Sequence, residues 1–289
     1  MPDFSIIDTH VHLWNPQLFP IPWLAQVPGI NRPFGLAEYR DQTANFPITG
    51  IVYVEVDVAP QFALLEAQLV VALAAQDSRL QGIVAAAPLE YGKQVRPYLD
   101  ALRALGPLIK GVRRNIQDET DPEFCLRPAF IQGVQLLAEY GFSFDICIRH
   151  HQLPAITRLV HLCPEIQFIL DHLGKPAIRE QELDPWRANL EQLAALPNVC
   201  CKLSGLLTEA NTQHWQLADL VPYVTHALTV FGTQRILFGG DWPVLLQAAS
   251  YEQWVKSVEL MLAHVPEAAQ HDIWMHNAQR CYRLITAGV

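Results

Sequence analysis

Three short segments of the chain bring together residue types able to do hydrolytic chemistry. Asp8-Thr9-His10-Val11-His12 closes an apolar run. In an extended strand residues i and i+2 share a face, so His10 and His12 project side by side. Two imidazoles placed this way can bind a metal or make two hydrogen bonds to one oxygen. A second run, Ile169-Leu170-Asp171-His172-Leu173-Gly174, delivers His172 to a strand end, where it could polarise a carbonyl or hold a water. The adjacent Asp171 faces another way and is expected to orient neighbours. The third, Ile236-Leu237-Phe238-Gly239-Gly240-Asp241, ends on a carboxylate after two glycines that let backbone approach closely. A carboxylate near imidazoles can take a proton from water and return it to a leaving oxygen. An H-x-H pair or a terminal Asp is common by itself. Their shared position at the ends of apolar strands gives them weight.

Further candidates lie at other strand ends. Glu55 follows Ile51–Val54 and could bind hydroxyls or pair with an Arg. One of Arg113 and Arg114 is expected to face a pocket, and so is at least one of Arg149, His150 and His151. Lys202 and Ser204 lie near the end of another strand, with a register that assigns neither a role. Trp14, Trp23 and Trp242 offer flat apolar walls. The expected substrate-binding set is Trp14, Trp23, Glu55, Arg113, His151 and Trp242. The remaining histidines, from His161 to His276, read as surface or packing residues.

These residues need a scaffold that gathers strand ends. Eight short apolar runs recur, near Ile6–His10, Gly50–Val56, Gly82–Ala86, Ile109–Val112, Ser143–Ile148, Gln167–Leu170, Val199–Leu203 and Arg235–Phe238. They lack strict alternation, as strands buried on both faces do. Helical segments separate them. Phe62, Leu65, Leu69 and Leu73 define one face of Gln61–Asp77, and Leu136 and Leu137 anchor Pro128–Tyr140, which ends at Gly141. Asp184 is expected to cap a helix with Pro185 at its first position. Leu153–Leu162 stops before Pro164, and a last helical region runs from Tyr251 to Leu284 with a break near Pro266. Eight strand–helix alternations without a G-x-G-x-x-G or P-loop predict an α/β (β/α)8 barrel over a doubly wound sheet. No linker divides residues 1–289, so one domain is expected. The Pro- and Trp-rich segment from Trp14 to Phe34 follows the first strand and is expected to cover the catalytic face.

Composition narrows the partners. The chain carries a net charge of −9 and no basic stripe, which argues against nucleic acid and anionic membrane. Its six cysteines form no C-x-x-C pair and read as buried thiols of a cytoplasmic protein. No signal peptide or membrane span is expected. Nothing in the sequence fixes an oligomeric state.

With these motifs the chain resembles the amidohydrolase-related (amidohydrolase 2) family, in particular its sugar-lactonase branch. The resemblance rests on DTHVHLW at 8–14, IKGVRR at 109–114, LDHLGKP at 170–176, KLSGL at 202–206, GGDWPV at 239–244 and HNAQRCYRL at 276–284. It implies a distorted TIM-like barrel and a small-molecule substrate, a sugar (aldono) lactone such as L-fuconolactone opened to the aldonic acid. Asp241 would be the general base and acid, with His10, His12 and His172 polarising the carbonyl. Family members that bind a metal, such as Zn2+, imply His10, His12 and Asp241 as its ligands, but the strand-five His that decarboxylase relatives add has no clear counterpart here. A metal-independent reaction is therefore favoured. The competing expectations are a metal-dependent decarboxylase or amide hydrolase on the same barrel, and a non-catalytic binding protein.

Overall fold

A computed structural model describes residues 4–284. The chain alternates strand and helix throughout: β1 (Ile6–Val11), α1 (Leu36–Thr43), β2 (Ile48–Val54), α2 (Ala63–Ala74), β3 (Leu80–Ala86), α3 (Arg96–Ala104), β4 (Ile109–Arg113), α4 (Pro128–Tyr140) and β5 (Ser143–Ile146). It continues with α5 (Leu153–Leu162), β6 (Phe168–Leu170), α6 (Trp186–Ala194), β7 (Val199–Leu203), α7 (Leu206–Glu209), α8 (Leu217–Phe231), β8 (Ile236–Phe238) and α9 (Tyr251–Leu262). Two short helices, α10 (Glu267–His271) and α11 (Asn277–Tyr282), flank a π-helical turn at the C-terminal end.

All eight strands pair parallel in chain order. The last returns beside the first: Val11 bridges Trp242, and Asp241 N donates to His10 O at 2.8 Å. The sheet is thus a nearly closed TIM-like (β/α)8 barrel. Closure has a local cause in Gly239 and Gly240, where a Cβ would come within 2.9 Å of His10 Cβ and 2.5 Å of the Asp8 carboxylate. Only glycine lets the segment after β8 lie this close to β1.

The outer layer, between strands and helices, is one continuous apolar core. A second cluster gathers Ile7, Val52, Val84, Ile169, Cys200 and Leu237 with Cys281, Tyr282 and Leu284 from the end of the chain. These strand residues line the inside of the barrel, so α11 plugs its N-terminal end. Above that plug the interior turns ionic, with Asp145, Lys202, Arg113, Glu55 and Asp171 all buried. All six cysteines are buried thiols, and no described helix is long and apolar enough to cross a membrane.

Two local expectations are corrected. On α2 the inward face is Ala63, Glu66, Ala67 and Val70, while Leu65 and Leu69 are 48% and 38% exposed. The helix is turned by Glu66, which accepts hydrogen bonds from Tyr53 OH at 2.7 Å and Val56 N at 2.8 Å. Small Ala63 and Ala67 let the strand approach on that side. Asp184 does not cap α6, which starts at Trp186. Its carboxylate instead meets Arg187 Nη2 at 2.8 Å.

Candidate active site

The site lies at the C-terminal ends of the strands, where open βα barrels present their side chains. His10 is the penultimate residue of β1 and His12 follows it by two residues, their ring centroids 4.8 Å apart. His12 Nδ1 lies 2.8 Å from Val54 O. A carbonyl only accepts, so this nitrogen carries a proton. His172 follows β6 with φ 56°, held in that sparsely populated conformation beside Gly205, where any Cβ would strike the His172 ring at 2.3 Å. Its Nδ1 lies 2.9 Å from Ser204 Oγ. Asp241 also has positive φ, 54°. Such backbone costs about 1–3 kcal/mol per residue and persists where surrounding structure over-determines it.

The result is a convergent cluster. Asp241 Oδ1 stands 3.5 Å from His12 Nε2, 3.7 Å from His10 Nε2 and 4.0 Å from His172 Nε2. All four side chains are buried. Burial works to raise the Asp241 carboxyl, but the facing imidazoles of His172, His12 and His10 outweigh it and hold the group well below the usual carboxylate range. Burial pushes the His172 imidazole down to about 4, against the pull of Asp241 and Asp171. Burial and the Lys202 charge likewise hold His10 well below its ordinary value. At neutral pH the Asp241 carboxylate therefore faces uncharged His10 and His172 rings.

Arg113 is the arginine that faces the site. Its Nε donates to Glu55 Oε1 at 2.5 Å, and its Nη1 to Asp171 Oδ2 at 3.2 Å. Arg114 turns outward to Glu90 and Glu119. A cavity of about 310 Å3 opens over His12, His172 and Asp241 and reaches Trp23, Arg113 and Lys175. It continues into a hollow of about 490 Å3 that shares Arg149, Lys175, Thr208 and Glu209.

Four members of the expected substrate-binding set do not line this cavity. Trp14 is 5% exposed, gives its indole N–H to Arg32 O, and stacks edge-on behind Trp23 at 5.5 Å. Trp242 is fully buried against Phe34 and Tyr39. Glu55 is spent on Arg113 and on Asp57 N. His151 is exposed, because the chain turns into a short helical turn at His150–Gln152 directly after Arg149, whose backbone N–H is taken by Gln152. Of that triplet Arg149 lines the cavity, its guanidinium 3.0 Å from Asp118. Trp23, tied through its indole N–H to Val56 O at 2.8 Å, is the expected aromatic wall.

Lys175 and Glu209 line the cavity without having been expected there. Lys175 had a signal, since it sits three residues after His172 in the same motif. Glu209 ends α7, and burial raises its carboxyl against the opposing charges of Lys175 and Arg149. Nothing in its sequence neighbourhood marks it.

The amidohydrolase family model (Amidohydro_2) matches residues 7–284. The chain belongs to the amidohydrolase family. It is 32% identical to an L-fucono-1,5-lactonase of Burkholderia multivorans, the alignment covering 96% of each chain. An L-fucono-1,5-lactonase of Burkholderia ambifaria is 34% identical over about half of each chain, 49% and 48%. Among solved structures, an amidohydrolase from Burkholderia multivorans crystallised with bound zinc superposes with a TM-score of 0.88 at 30% identity, covering 98% of this chain and 100% of that one. A putative 2-pyrone-4,6-dicarboxylic acid hydrolase from Pseudomonas putida, at 20% identity and TM-score 0.73 over 98% of each chain, shares the fold of this amidohydrolase.

Proposed function

We propose that this amidohydrolase is a lactonase that hydrolyses a sugar (aldono) lactone, such as L-fuconolactone, to the open-chain aldonic acid. The observation that carries the reading is one carboxylate oxygen, Asp241 Oδ1, ringed by three imidazole Nε2 atoms at 3.5–4.0 Å in a buried pocket. The curated lactonase relatives supply the reaction class.

Asp241, ionised, removes a proton from water. The resulting hydroxide adds to the lactone carbonyl carbon. His10 and His172 face the developing oxyanion as hydrogen-bond donors. Collapse breaks the bond from the carbonyl carbon to the ring oxygen, and protonated Asp241 returns its proton to that oxygen. His12 departs from the expected carbonyl-polarising role. Its Nδ1 proton is given to Val54 O, and as the Nδ1–H tautomer it accepts a hydrogen bond from the attacking water at Nε2.

A divalent cation is the other means of polarising a carbonyl. One ligand atom from each of His10, His12 and Asp241 lies within 4.8 Å of the others, and His10 Nε2 is buried without a hydrogen-bond partner. These donors fit a cation such as Zn2+ in type and spacing, and those three residues would hold it. When bound, it would act as a Lewis acid on the carbonyl.

The cavity wall supports a neutral polyol. Arg113 is neutralised by Glu55 and Asp171, and Arg149 pairs with Asp118. The wall adds Asp57 and Glu209. A dianionic lactone would meet the carboxylates of Asp57 and Glu209 and arginines already ion-paired, whereas hydroxyls find acceptors in these carboxylates and a donor in Lys175. The test is proton release from a panel of aldonolactones, followed with a pH indicator in the presence of chelator. Fast hydrolysis supports the reading, and no hydrolysis of any lactone with or without zinc contradicts it.

A further inference from the structure

Beneath Asp241 lies an ionic cluster that the proposed reaction does not touch. Lys202 projects from β7 into the barrel with no solvent exposure. Its ammonium lies 2.7 Å from Asp145 Oδ2, 2.9 Å from Asp171 Oδ1 and 3.1 Å from His10 Nδ1. Tyr282 OH donates to the same Asp145 oxygen at 2.5 Å.

An ammonium held between two buried carboxylates keeps its charge, and in that state it has three donors and no acceptor. His10 Nδ1 must therefore accept from it. A neutral imidazole carries one ring proton, which leaves that proton on Nε2, the nitrogen that faces Asp241. Asp171 Oδ1 competes for the opposite arrangement. It stands 3.3 Å from His10 Nδ1 and would accept from an Nδ1–H, but the Lys202 ammonium lies nearer to that oxygen, at 2.9 Å. His12, two residues on, has the reverse tautomer through Val54 O.

We propose that Lys202 sets the tautomer of His10, keeping the proton on Nε2, so that His10 serves as a hydrogen-bond donor and opposes metal ligation. A cation bound by His10, His12 and Asp241 needs an Nε2 lone pair from both imidazoles. His12 has one. His10 gains one only when its proton moves to Nδ1 and Lys202 gives way to Asp171. Lys202 is thus a positioning residue that biases one pocket toward metal-free chemistry. Its consequence for turnover rests on the proposed lactonase reaction, while the tautomer itself does not.

The direct test is nitrogen NMR on chelated wild-type protein with 15N-labelled histidine rings, His10 being assigned by the signals lost in His10→Gln. The expected pattern for His10 is an unprotonated Nδ1 and a protonated Nε2, with the reverse for His12. A protonated Nδ1 on His10 overturns the proposal. The second test titrates zinc chloride calorimetrically into wild type and Lys202→Met. Affinity should tighten by about 10- to 100-fold, the size usual for groups that orient a metal ligand. Unchanged or weaker binding to the folded variant overturns it as well. Should Lys202→Met not fold, the pair Lys202→Met with Asp145→Asn restores the buried charge balance and carries the same expectation. Neither readout uses a lactone, so a failed activity assay leaves both intact.

Discussion

The floor of the pocket and its wall are built on different principles. In the floor, His10, Asp145, Asp171 and Lys202 are fully buried, and each pairs with a side chain carried by a barrel strand. The wall consists of Trp23, Asp57, Arg149, Lys175 and Glu209, carried by loops and short turns and partly open to solvent. Charges in the floor are worth a great deal because burial removes water's screening, and each depends on its partner. Charges in the wall are less deeply buried than those of the floor and individually replaceable. The floor should therefore fix the reaction and the wall should choose the substrate.

The strongest way to break this division is to unbalance the floor. Arg113→Met would strand the buried Glu55 and leave the buried Asp171 with Lys202 as its remaining cation. Removing one partner of such a network costs about 3–5 kcal/mol, so denaturant unfolding should show a loss of that order, and a loss under about 1 kcal/mol would mean the floor is not an interdependent unit. His172→Asn comes next. Loss of an oxyanion donor costs about 10²–10³ in kcat, and this should appear with an unchanged melting temperature.

A pH effect separates scaffold from site more finely. Burial raises the Glu66 carboxyl to about 8 from the ordinary 4.5. The folded state then keeps a proton that the unfolded chain releases. This contribution is full below about 4.5, declines as pH rises, and is gone once pH passes about 8. Glu66→Gln keeps an acceptor for Tyr53 and Val56, so it should flatten the alkaline fall in melting temperature without changing kcat. A wall substitution should do least. Glu209→Gln is expected to raise KM several-fold while leaving kcat and stability alone. A large fall in kcat would move Glu209 into the reaction itself.

The sequence was most legible where burial is strongest. Strands such as Val199–Leu203 read correctly because a strand covered on both faces is mostly apolar, Lys202 being the exception in this one. His10, His12, His172 and Asp241 were found together because strand ends in a barrel converge, whatever the loops do. Legibility failed where one polar partner rotates an element, as Glu66 does to α2, burying two alanines and exposing two leucines. It failed again at turns. Whether Arg149 or His151 meets the cavity depends on a helical turn of three residues, and whether Trp14 or Trp23 forms the wall depends on how a proline-rich loop folds back. Glu209 comes to the site from a short helix whose sequence carries no functional pattern.

The central claim is that Asp241 is the base and acid of a lactone hydrolysis. Proton release from L-fuconolactone should be measured with chelated wild type and with Asp241→Asn. The account predicts rapid hydrolysis by the wild type and a loss of about 10²–10⁴-fold in the variant, the usual contribution of a positioned general acid–base, with the fold retained. Equal rates in both proteins would contradict it.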